Sequence, residues 1–137
     1  MAKGDLQMFS YETNKAILNI YAGAGGVDAQ DWANMLLRMY QRYIQRQNWR
    51  FSILSDSYGE QGGLKSASCE IVGPDAYAIL KGESGVHRLV RISPFSAKKL
   101  RHTSFALIEI MPAIVPQALQ LNPGELRVDT YRSSGKG

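Results

Sequence analysis

Positions 84–108 hold Arg88, Arg91, Lys98, Lys99 and Arg101 and no acidic residue, in a chain whose net charge is +4. Positive charge gathered in this way suits a polyanionic partner, and it supplies affinity rather than sequence choice. The same stretch sets Ser93, Phe95, His102 and Thr103 among the cations. Hydroxyls, an aromatic ring and an imidazole are the groups that read single-stranded RNA, by stacking and by hydrogen bonds to base edges. A solvated basic loop is the plain alternative; the joint presence of these groups favours RNA.

Other chemistries are poorly served. Two histidines and one cysteine, widely spaced, do not make a zinc site, and no metal or cofactor is expected. Ser93 and His102 could meet through their loop, but no G-x-S-x-G elbow surrounds the serine, so a metal-free hydrolase is a remote reading. His87 lies within a strand pattern and reads as structural. Cys69 reads as a small buried hydrophobe. Gly23, Gly25 and Gly26 invite comparison with a dinucleotide fingerprint, yet Asp28 puts a carboxylate where a pyrophosphate would approach. A turn that needs positive φ accounts for these glycines.

The elements that must position these groups follow from periodicity. Residues 16–22 are rich in strand formers and stop at the glycines. From Asp28 the period changes: Trp32, Met35, Leu36, Met39, Tyr40, Tyr43 and Ile44 recur at three and four, which predicts a long amphipathic helix. The stripe Trp32, Tyr40 and Tyr43 reads as core. Asp28 and Asp31 suit the positive end of that helix, Arg42 and Arg46 its negative end. Residues 50–55 and 64–72 read as strands joined by a glycine-rich hairpin, with Ala67, Cys69 and Ile71 facing the core. Pro74 can open a short helix ending at Lys81. Strands at 86–92 and 103–111 then flank the basic loop 93–102. Pro112, Pro116 and Pro123 are expected to forbid regular structure until a last strand at 126–131.

The order β-α-β-β-α-β with an extra hairpin partner predicts an α+β, ferredoxin-like split βαβ fold, an antiparallel sheet with helices on one face. Three segments are expected: a leader over 1–15, one domain over 16–124, and a strand and loop over 125–137. At 137 residues, 45% hydrophobic and 20% charged, one soluble domain is the ordinary reading. No apolar run approaches the roughly 20 residues that span a bilayer, no signal peptide opens the chain, and one cysteine requires no oxidising compartment. A cytoplasmic protein is expected.

Four blocks carry a resemblance to a known family: Ala22-Gly23-Ala24-Gly25-Gly26-Val27-Asp28-Ala29-Gln30-Asp31-Trp32, Gly85-Val86-His87-Arg88-Leu89-Val90-Arg91, Ser93-Pro94-Phe95, and Arg101-His102-Thr103-Ser104-Phe105. In order and spacing they resemble the bacterial class I peptide chain release factors, in the type that reads the stop codons UGA and UAA. The likeness runs over residues 16–137. The sister type, which reads UAG and UAA, carries a Pro-x-Thr tripeptide in place of Ser93-Pro94-Phe95.

The resemblance implies a codon-recognition domain acting in the small-subunit decoding centre, with the ribosome, the mRNA stop codon and ribosomal RNA as partners. Gly25 to Asp28 would meet the first base, although the family commonly has glutamate where Asp28 stands. Ser93 would face the second base, with Pro94 and Phe95 stiffening the loop. His102 would stack on the second base, Thr103 would bond the third, and Val90 would line the site. Arg88, Arg91, Lys98, Lys99 and Arg101 would contact ribosomal RNA phosphates. Residues 126–137 resemble the approach to the family's Gly-Gly-Gln, with Gly137 as its first glycine. On this reading the chain is not an enzyme by itself. A non-decoding RNA-binding relative that protects a transcript is the alternative.

Overall fold

The structure, a computed structural model, describes residues 9–116, with side chains described over 13–114. The expected strand at 126–131 lies outside the described residues. Two compact units divide the chain, Glu12–Ala113 on one hand and Met1–Tyr11 with Ile114–Gly137 on the other. The first unit holds every element below except the outer ends of β1 and β5.

The elements run β1 (Phe9–Ala22), α1 (Gly26–Arg46), β2 (Arg50–Tyr58), β3 (Leu64–Val72), α2 (Ala76–Leu80), β4 (Gly85–Ile92) and β5 (Arg101–Pro116). They form one five-stranded sheet in the order β2-β3-β1-β5-β4. β3 lies between β1 and β2, antiparallel to both, which is the split βαβ arrangement. β5 is the other neighbour of β1, and β4 is the additional hairpin strand outside it. Gly23 donates to the Phe105 carbonyl while Asn19 reaches Glu109, so β1 and β5 also run in opposite senses.

Alternation along each strand decides which residues are buried. Ala16, Leu18 and Ile20 stand opposite Ile71, Cys69 and Ala67, and all six are buried. Ala106, Ile108 and Ile110 extend this face onto β5, and Ala33, Leu36, Leu37, Tyr40 and Ile44 of α1 close over it with Ala76 and Leu80 of α2. Burial, with the Asp56 charge adding to it, pushes the Cys69 thiol up to about 11, in keeping with a core residue rather than a reactive one. Ile20 is fully buried. Ile20→Ala is therefore expected to cost about 2–5 kcal/mol, read from urea unfolding; a loss below about 1 kcal/mol would refute this account of the core.

Three expectations are corrected. β1 begins at Phe9 rather than residue 16. β5 passes through Pro112 to Pro116. Ile110 donates its N–H to Ser84 Oγ, toward the β4 side, and β4 ends with Gly85 opposite Ile108. By alternation Pro112's missing N–H then falls where no strand is paired, and proline is tolerated there. The buried stripe of α1 is also shifted: Tyr40 is 3% exposed, but Tyr43, expected in the core, is 38% exposed, and Met35 and Met39 are exposed too. The buried residues Ala29, Ala33, Leu36, Leu37, Tyr40 and Ile44 lie on one face of α1, and Met35, Met39 and Tyr43 fall outside it.

Smaller differences concern the helix starts. α1 begins at Gly26, two residues before Asp28. α2 begins at Ala76, behind Asp75 at φ 54, so Pro74 stands outside it. Gly73 is required by close approach, since a Cβ there would run into the Trp49 ring. No helix among the described residues is long and apolar enough to cross a membrane.

Candidate functional site

The start of α1 is held against β5. Gly23 N–H bonds the Phe105 carbonyl at 2.8 Å, and Phe105 N–H bonds the Ala24 carbonyl at 3.1 Å. Gly25 then turns the chain into the helix at φ 128, and a Cβ there would stand 3.2 Å from Ser104 Cα. Both the backbone angle and the contact call for glycine. The Gly25 carbonyl accepts from Ala29 N–H at 3.3 Å, which sets Asp28 in the first turn.

The loop between β4 and β5 is tied by its own backbone. Ser93 N–H bonds the Leu100 carbonyl at 3.0 Å, Ser96 N–H the Ser93 carbonyl at 3.3 Å, and Lys99 N–H the Ser96 carbonyl at 3.0 Å. The Ser93 hydroxyl accepts from Phe95 N–H at 3.0 Å. Lys99 takes φ 55, outside the usual range for a lysine.

Asp28 joins the two tips. Its carboxylate accepts from the Ser93 hydroxyl, 2.7 Å from Oδ2 and 3.0 Å from Oδ1. His102 Nδ1 lies 3.1 Å from Oδ2, so that nitrogen carries the proton facing the carboxylate. Arg91 Nη2 lies 3.3 Å from Asp28 Oδ1 and 2.7 Å from Asp31 Oδ2. Asp28 and Ser93 are 6% and 1% exposed, so water competes little for these bonds. Burial acts to raise the Asp28 carboxyl. The hydrogen bonds from Ser93, His102 and Arg91 and the charge of Arg91 outweigh it and hold the group below the ordinary carboxylate value.

Trp32 Nε1 donates to the His87 carbonyl at 3.1 Å and ties α1 to β4. His87 Nε2 in turn lies 2.8 Å from the Glu83 carbonyl. The Tyr40 hydroxyl donates to Glu83 at 2.8 Å, and burial together with that carboxylate keeps the phenol well above its ordinary value.

Of the expected site residues, Gly25, Asp28, Ser93 and His102 come together. Pro94 and Phe95 are exposed at the loop's outer side. Val90 and Thr103 are opposite one another across β4 and β5, one position along from the pair Arg91 and His102. Alternation therefore puts Val90 and Thr103 on the other face of the hairpin from His102 and Asp28. Arg88, Lys98, Lys99 and Arg101 are exposed and suited to phosphates, whereas Arg91 is spent on two carboxylates.

Asp31 was missed as a site residue, and Arg91, expected on RNA phosphates, is instead held by Asp28 and Asp31. The signal available was the spacing of Asp28 and Asp31, three apart on a helix and so on one face. The hydrolase reading loses its geometry, because serine and histidine both bind the carboxylate, whereas a triad sets histidine between serine and acid. Among the described residues no group of three or more His, Cys, Asp and Glu is arranged to hold a metal.

Comparison with known proteins finds relatives in sequence and fold. The model of the PCRF domain matches residues 6–108. Peptide chain release factor 2 of Thermomicrobium roseum is 51% identical over 128 residues, covering 93% of this chain and 34% of that protein. Its counterpart from Petrotoga mobilis is 50% identical, with 93% and 35% covered. The solved structure of release factor 2 of Thermus thermophilus superposes with a TM-score of 0.70 at 43% identity, over 82% of this chain and 32% of that one. The chain thus spans about a third of the length of the relatives it matches.

Proposed function

Since the chain belongs to the peptide chain release factor family, we propose that it reads stop codons in the decoding centre of the small ribosomal subunit, and that it selects UGA and UAA. The observation that carries the proposal is the 2.7 Å bond between Ser93 and Asp28. It brings the tip of α1 and the Ser93-Pro94-Phe95 loop within hydrogen-bonding distance of each other.

The chemistry of the bases suits that site. Uracil presents N3–H between two carbonyl oxygens and is read by backbone groups at the Gly25 turn with a carboxylate acceptor nearby; cytosine lacks that proton. A serine hydroxyl accepts from the amino group of adenine or donates to O6 of guanine, so one residue tolerates both purines at the second position. In the free chain the hydroxyl donates to Asp28. Reading guanine therefore asks Ser93 to turn its proton away from Asp28, whereas reading adenine does not. His102 keeps its Nε2 edge and ring face for stacking, Thr103 and Val90 would serve the third base from the opposite face of the hairpin, and Arg88, Lys98, Lys99 and Arg101 supply salt-dependent affinity.

Termination of translation in the cytoplasm, with the ribosome, ribosomal RNA and mRNA as partners, is the role proposed. Hydrolysis of the peptidyl-tRNA ester belongs in this proposal to another part of a full-length factor. The test is a chimera in which this chain replaces the matching segment of release factor 2 of Thermus thermophilus. Peptide release is expected on UGA and UAA and not on UAG; equal release on UAG would end the codon assignment.

A further inference from the structure

The exposed side of α1 carries a second organised surface. Arg38, Arg42 and Arg46 stand four residues apart on one line, with Met35, Met39 and Tyr43 on a parallel line, and the six side chains border a groove of about 500 Å³. All six are exposed. Among the described residues none of the three arginines has a carboxylate partner. No Asp or Glu occurs between Asp31 and Asp56.

Like charges four apart on a helix repel and weaken it, so this row serves nothing in the isolated fold. A partner with regularly repeated negative charge removes the repulsion. Each step of four residues rises about 6 Å, so the three guanidiniums mark out a line of about 12 Å. Guanidinium forks pair with phosphate oxygens through two hydrogen bonds, and the methionines between them adapt to an irregular surface. The groove is also continuous with the codon-reading site, since Met35 Sδ lies 3.9 Å from Arg91 Nη1.

We propose that this face of α1 seats the phosphodiester backbone of the small-subunit ribosomal RNA around the codon, an inference that rests on the decoding role above. The codon itself is too short to reach it. Arg38 is ten residues and Arg46 eighteen beyond Asp28, about 15 and 27 Å along the helix, whereas three stacked nucleotides rise about 10 Å. The row therefore contributes grip and orientation, with no part in choosing the triplet.

The test measures binding of the 137-residue chain to small ribosomal subunits carrying either UGA or a sense triplet, across a salt series. The comparison is with Arg38→Gln, Arg42→Gln and Arg46→Gln combined, a change that preserves helix propensity. The slope of log affinity against log salt is expected to become shallower by about 2–3 units, at about 0.7–0.9 per phosphate contact. The loss is expected to be equal on both triplets and to persist when the mRNA ends at the stop codon. An unchanged slope overturns the proposal, and so does a loss confined to UGA. A loss that vanishes with the shortened mRNA assigns the face to mRNA and overturns it too. A protein partner is the outcome if Met39→Ser weakens binding while the arginine changes leave the slope alone. Failure of the unsubstituted chain to distinguish UGA from a sense triplet would instead count against the decoding role, with the salt slope still deciding the groove.

Discussion

Replacing Asp28 with alanine is expected to lower the free energy of unfolding by about 3 kcal/mol. That figure lies between the cost of an unsatisfied neutral donor, about 1–3 kcal/mol, and that of a fully buried ion pair broken on one side, about 3–5 kcal/mol. The upper end is not reached because Arg91 keeps Asp31 at 2.7 Å and the His102 side chain is 42% exposed, so both find other partners. Ser93 does not: its hydroxyl is buried and would retain only the bond it accepts from Phe95. Urea unfolding measures the loss, and amide exchange at Leu100 and Lys99 should accelerate with it. A loss below about 1 kcal/mol would mean that the carboxylate does not hold the loop.

The same network has a defined pH dependence. Asp28 sits below its ordinary value in the folded chain, so the folded state binds its proton less readily than the unfolded state. Its contribution is full above the unfolded carboxylate value of about 3.9 and is lost as pH falls through the lower folded value. The stability gap between the parent chain and Asp28→Asn is therefore expected to narrow as pH is lowered from about 5 to 3. A gap that widens on acidification would contradict the assigned direction.

Exchanging the tripeptide is expected to have the largest effect on function. In the chimera, Ser93→Pro combined with Phe95→Thr should reduce release on UGA by about tenfold to a hundredfold, the worth of one or two hydrogen bonds to the second base. Release on UAG should rise and release on UAA should remain. The structure adds a consequence for folding. Proline at position 93 removes the N–H that bonds Leu100 at 3.0 Å and the hydroxyl that bonds Asp28 at 2.7 Å. The exchanged protein should therefore also unfold at lower urea, by about 1–3 kcal/mol. Ser93→Thr, which keeps both the N–H and the hydroxyl, separates the two effects by retaining UGA release and stability. Unaltered codon choice in the folded exchange variant would show that the loop does not select the codon.

Much of this molecule was legible from residue order because it is local. The strand at 64–72, the helix after the glycines and the strand of β4 depend on periods of two and 3.6 and on glycine punctuation, which neighbouring residues determine. Ala67, Cys69 and Ile71 were assignable to the core for the same reason. The four blocks that resemble release factors were legible for a different reason: their residue types and spacing are specific when taken in series.

What residue order did not determine depends on neighbours far along the chain. Pro112 continues β5 because β4 ends opposite Ile108, and Tyr43 stays exposed because only one side of α1 meets the sheet. The site is the clearest case. Asp28, Arg91, Ser93 and His102 each carried a plausible separate role, helix first-turn acid, phosphate contact, codon reader and stacking ring. Only the fold brings positions up to 74 residues apart within hydrogen-bonding distance of one carboxylate. A buried carboxylate must collect donors from whatever elements surround it, and which elements those are is decided by the sheet order, not by spacing along the chain.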